Sequence, residues 1–113
     1  MGARIIRGMP GFLEAVVTLF PADAGGRERP IAPRDGNYHP ALRTMKRSAI
    51  PIRFIEGPPW IAPGQDGRVV AEIEAEAFDD AGLAAGCELD LAEREHVVGI
   101  VTVIRLWSDV LAE

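Results

Sequence analysis

A chain of 113 residues with 48% hydrophobic and 26% charged side chains has the composition of one globular domain, which excludes pervasive disorder and a second core of comparable size. A lone cysteine, Cys87, excludes an internal disulfide framework and points to a reducing, cytoplasmic setting. The net charge of −5 conceals +5 over residues 27–53 and −10 over residues 54–113, so overall charge repels nucleic acid while one segment could still attract it.

Residues 1–10 contain no continuous apolar run, and no later run is of spanning length, which predicts neither an export signal nor a membrane anchor. From Phe12 to Phe20 the pattern has period two, with Leu13, Ala15, Val17 and Leu19 on one side, so a strand is expected there. Residues 27–53 follow, carrying Arg27, Arg29, Arg34, Arg43, Lys46, Arg47 and Arg53 against only Glu28 and Asp35. Ala49 to Ile55 reads as a second strand with Ile50, Ile52 and Phe54 on one face, and Pro51 confines it to an edge or a non-bonding position. The breaker-rich connection Gly57-Pro58-Pro59-Trp60-Ile61-Ala62-Pro63-Gly64 ends it, with Pro63-Gly64 a turn signal.

Arg68 to Ala77 gives the clearest alternation: Val69, Ala71, Ile73 and Ala75 face one way, while Glu72, Glu74 and Glu76 form an acidic stripe on the other. A helix would scatter those glutamates, so a strand is expected, with the stripe keeping its face soluble. Cys87, Leu89 and Leu91 mark another strand, in which Cys87 is a small buried thiol. His96 to Leu106 is apolar at nearly every position, as in a strand covered on both faces. Ser108 could cap a short C-terminal helix carrying Val110 and Leu111, a tail that would fold back over that strand with Trp107 beneath it. About six short strands with turn signals between them predict an all-β fold, a six-stranded antiparallel barrel with a core over residues 11–105 and a tail over 106–113.

The punctuation of the chain follows one family. Glu14-Ala15 opens a strand; Gly25-Gly26-Arg27 with Pro30 and then Tyr38-His39-Pro40 follow; Pro63-Gly64 precedes the alternating strand; Leu83 and Gly86 precede the next; and Glu93 with Val98-Gly99 leads into the last. In that serial order the chain resembles the C-terminal β-barrel domain of elongation factor Tu, over about residues 11 to 105. The resemblance implies a six-stranded antiparallel barrel that helps to grip the T stem of aminoacyl-tRNA and packs against a GTPase domain. The phosphate-binding loop of that GTPase, Gly-x-x-x-x-Gly-Lys-Ser/Thr, occurs nowhere in this chain. The family's Tyr-Arg-Pro-Gln is here Tyr38-His39-Pro40-Ala41, and its Arg-Glu-Gly-Gly-Arg is here Ala92-Glu93-Arg94-Glu95-His96, departures that put inherited tRNA contacts in doubt.

His39, near Asp35 and Arg43, could serve as a general base but reads first as a surface turn histidine; no ligand spacing suits a metal and no cofactor motif occurs, so the chain reads as a non-enzymatic binding module. Its candidate binding residues are Arg27, Tyr38, His39, Arg43, Lys46, Trp60, Arg94 and His96. Trp60 could anchor an interface, although burial as a barrel plug is its first expectation. A protein partner is expected. The alternatives are an RNA-binding translation accessory that sets the basic segment 27–53 on phosphates, and an immunity or regulatory mimic of the elongation factor barrel. A homodimer could bury the outer face of the last strand.

Overall fold

In a computed structural model, residues 9–44 and 49–108 are described. Their secondary structure is antiparallel β: β1 (Pro10–Leu19), β2 (Ala41–Arg43), β3 (Ala49–Pro51), β4 (Arg53–Glu56), β5 (Asp66–Glu74), β6 (Glu88–Glu93) and β7 (His96–Ser108), with a short helix α1 (Ala77–Asp80) and a 3-10 turn (Ala22–Ala24). The strands form one sheet in the order β3-β2-β6-β7-β1-β5-β4. No helix among the described residues is long and apolar enough to cross a membrane.

Alternation dictates which residues line the core. Leu13, Ala15, Val17 and Leu19 of β1 are buried, as are Val69, Ala71 and Ile73 of β5, Leu89 and Leu91 of β6, and Val98, Val101 and Val103 of β7. β1 lies between β5 and β7, pairing Leu13 with Ala71 on one side and with Leu106 on the other. Between Glu14 and Ala15 the β7 register slips, leaving Ile104 as an extra residue. That bulge lets Arg105 face Glu14 on the outside while Val103 faces Ala15 inside.

The expected strand over 49–55 is divided in two. Pro51 ends β3, which pairs with β2; Ile52 donates its amide to Pro40 O at 3.1 Å, also toward β2; and from Arg53 the chain pairs with β5 instead. A proline has no amide hydrogen to extend the β4–β5 ladder past Arg53↔Glu72, which accounts for the switch. The sheet therefore has seven strands where six were expected, and its two end strands are separated in the chain by Ile52 alone.

Other expectations are corrected in detail. Ala41–Arg43 is a strand that three residues of alternation could not reveal, and α1 was not foreseen. β7 runs on to Ser108, so residues 106–108 belong to the sheet and not to a tail; the remainder of the expected C-terminal helix lies outside the described residues. Ile100, Thr102 and Ile104 on the outer side of β7 are half-buried instead of covered. Cys87 is half-buried, just before β6. The Pro63-Gly64 turn is present: Gly64 has φ +83° and Gln65 N donates to Ala62 O at 3.0 Å.

Candidate functional site

The tight β6–β7 hairpin gathers most of the candidate residues. Glu93 pairs with His96, which leaves Arg94 and Glu95 as a two-residue turn, and Arg94 takes φ +58°, a left-handed conformation uncommon for a long side chain. The loop between β1 and β2 lies against this turn. Tyr38 donates its hydroxyl to Glu93 Oε2 at 2.5 Å, and Arg27 Nε lies 3.2 Å from the same oxygen. The Arg27 N–H is not aligned for a hydrogen bond, so that contact is an ion pair alone, while its guanidinium carbon sits 5.1 Å from the centroid of the Tyr38 ring. The same ring also meets Phe54 of β4, at 5.8 Å between centroids.

Two further bonds tie the same elements together. His96 Nε2 lies 2.7 Å from the Gly25 carbonyl, which can only accept, so this nitrogen carries the proton. Arg43 Nη2 donates to the Arg94 carbonyl at 3.3 Å, holding the turn at its strained residue. Burial, followed by the bond to Glu93, pushes the Tyr38 phenol far above its ordinary value of 10.0. Tyr38 is therefore the donor in this pair, and Glu93 accepts from Tyr38 while it is ion-paired with Arg27. Chemically the arrangement is a clamp between the β1–β2 loop and the hairpin, with Arg94 exposed at its tip.

Arg27, Tyr38, Arg43, Arg94 and His96 thus gather around one hairpin, where Glu93, marked in the sequence by the family pattern alone, holds Tyr38 and Arg27 while Arg43 and His96 make separate bonds to the Arg94 and Gly25 carbonyls. The Glu93 carboxylate ends a strand without any local signal, and its partner Tyr38 is 55 positions away. His39 diverges from its neighbour: it is exposed and lines an open cleft of about 280 Å³ with Pro10, Pro51, Ile52, Arg53 and Ile73. Lys46 lies outside the described residues. Among the described residues no group of three or more His, Cys, Asp or Glu side chains could hold a metal ion.

Trp60 is not a plug. It is 68% exposed. The backbone around it is nonetheless fixed: Arg34 Nε donates to Gly57 O, Ile31 and Ile61 exchange both backbone bonds at 2.9 and 3.0 Å, and Pro58 and Pro59 have restricted φ. Gly57 and Gly67 lie so close to Pro33 and Ile61 that an added Cβ would meet each of those side chains at 2.8 Å. A rigid frame therefore holds the indole in solvent. Residues 57–65 carry no charge and are bracketed by exposed Glu56 and Asp66.

The acidic stripe is also not a simple row of repelling charges. Glu72 is bound by Arg53, opposite it on β4. On the neighbouring strand Glu14 accepts from Arg68 Nε at 2.5 Å and Arg105 Nε at 2.7 Å. No protein-family model matches the chain, and no curated protein matches it.

Proposed function

We propose that the chain is a non-enzymatic, cytoplasmic binding module, a barrel resembling the C-terminal domain of elongation factor Tu, that engages a protein partner. The observation that carries this reading is Trp60: an indole 68% exposed on a loop fixed from both sides. An aromatic anchor on a rigid frame loses little freedom on binding, and tryptophans so placed dominate interface energetics. The uncharged window around it, with acids at both ends, favours protein over phosphate-rich partners. Affinity capture of the tagged protein from its native lysate, with and without ribonuclease, tests the reading. A partner that survives ribonuclease and is lost with Trp60→Ala is the expected result; capture unchanged by that substitution overturns it.

A second reading, an RNA-binding translation accessory, is favoured by Arg43 and the exposed Arg94 at the hairpin tip. It expects steeply salt-dependent RNA binding that is abolished by Arg43→Glu with Arg94→Glu. Binding that survives both reversals removes it.

A further inference from the structure

An aspartate followed by glycine can rearrange in water. Glycine has no Cβ to obstruct its own amide, so that nitrogen can reach the aspartate Cγ and close a five-membered imide whenever the backbone is free to turn. The chain holds two such pairs, Asp35–Gly36 and Asp66–Gly67, and the fold treats them differently.

Asp66 and Gly67 open β5, where they pair with Thr18 and Val17 of β1. Gly67 also lies so close to Ile61 and Pro58 that an added Cβ would meet them at 2.8 and 3.1 Å. Turning its nitrogen toward the Asp66 side chain would break both the ladder and that packing. Asp35 and Gly36 are exposed, at the end of a turn that the Asp35 amide closes on Ala32 O at 3.0 Å. No hydrogen bond among the described residues holds the Gly36 amide, and nothing beyond its chain neighbours lies within 4 Å of where its Cβ would be. Its φ of +77° is one that glycine adopts without strain. The Asp35 carboxylate accepts from Asn37 Nδ2 at one oxygen, Oδ1, at 3.1 Å, which leaves Cγ open to attack.

We infer that Asp35–Gly36 is a site of spontaneous isoaspartate formation and that Asp66–Gly67 is protected from it. The Gly36 nitrogen bonds to Asp35 Cγ, and its proton leaves with one carboxyl oxygen as water. Water then adds to either imide carbonyl. Opening at the main-chain carbonyl breaks its bond to the Gly36 nitrogen and leaves isoaspartate, unchanged in composition, with the chain now running through Cβ. The position gives the change a consequence, because the segment is tied on both sides: Arg34 donates to Gly57 O in the Trp60 loop, and Tyr38 donates to Glu93. One extra main-chain carbon between those ties slackens the frame of Trp60 and the clamp together.

Incubation of the purified full chain at neutral pH in water enriched in oxygen-18 tests it, followed by tryptic digestion in ordinary water and mass spectrometry. Each round of imide closure and hydrolysis fixes one labelled oxygen, and fragment ions place it on the aspartate. Asp35, in peptide 35–43, should take up label at least about tenfold faster than Asp66, in peptide 54–68, because only Asp66 must wait for local opening of a ladder. In guanidinium chloride, where the ladder is gone, the two rates should converge. Equal uptake in the folded chain, or a difference that persists on unfolding, overturns the inference. The urea midpoint of the wild-type chain should fall as its isoaspartate content grows, and should hold steady in Gly36→Ala aged alongside it. A midpoint indifferent to that content overturns the slackening.

Discussion

Tyr38 and Glu93, 55 positions apart in the chain, share a 2.5 Å hydrogen bond that fastens the β1–β2 loop to the β6–β7 hairpin. Because Tyr38 is the sole tyrosine, its ionisation can be followed directly by ultraviolet absorbance. Its folded-state pKa is raised above the ordinary 10.0 by burial and then by Glu93, so the stability it contributes is complete below that value and is lost progressively as pH rises above it. The phenol should stay protonated in alkali until the chain unfolds, and tyrosinate should appear together with loss of circular dichroism. Tyr38→Phe should cost about 1.5 to 3 kcal/mol at neutral pH in urea unfolding, as expected for a bond to a charged acceptor.

Acid should expose the opposite case. The hydrogen bond from Arg105, with that from Arg68, holds the Glu14 carboxyl below its ordinary 4.5 against the opposing effect of desolvation. A lowered pKa gives stability that is present above the ordinary value and lost as pH falls through the folded one. Glu14→Gln should therefore lower the urea midpoint at pH 7 and make no difference in strong acid. Added salt should shrink the neutral-pH effect, because both arginines are about two-thirds exposed, at 65% and 66%.

At the tip of the hairpin, relief of strain should be measurable. Arg94 holds φ +58° without glycine's freedom. Arg94→Gly should raise stability by roughly 1 kcal/mol, since the bond from Arg43 is made to the backbone carbonyl and survives the change. Calorimetry should show an upward shift in Tm.

Gly99 faces the reverse problem. A Cβ there would lie 2.4 Å from the Thr18 carbonyl oxygen, inside the β1–β7 ladder where Leu19 pairs with Gly99. Backbone cannot yield as a side-chain tip does, so Gly99→Ala should cost about 3 kcal/mol or more and reduce the soluble yield.

Legibility in the sequence tracked locality. β1, β5 and β7 were readable because ten, nine and thirteen residues alternate or stay apolar over their lengths, and the buried set Leu13, Ala15, Val17 and Leu19 follows directly from period two. β2, with three residues, has too few positions to show a period; it exists because Leu42 finds Leu91 and Ile50 on either side. Of the site, Arg27 and Tyr38 could be proposed from residue type, but not their meeting at Glu93, since nothing local records a contact across such a separation. Trp60 was misjudged for a related reason: hydrophobicity favours burial, whereas its exposure is set by Arg34 and by the exchange between Ile31 and Ile61.

The placement of Ile52 bears on how the chain reaches its native state. β3 and β4 are neighbours in sequence yet occupy the two extremes of the hydrogen-bonded order, and the central pair β1–β7 joins residues about ninety positions apart. A nucleus at the β6–β7 hairpin cannot simply grow outward by adding the next segment of chain, because the segment that finishes one side also begins the other. Both margins must be completed in a concerted late step, so refolding should be slow for a chain of this length, with β2–β3 and β4–β5 protection against amide exchange acquired together.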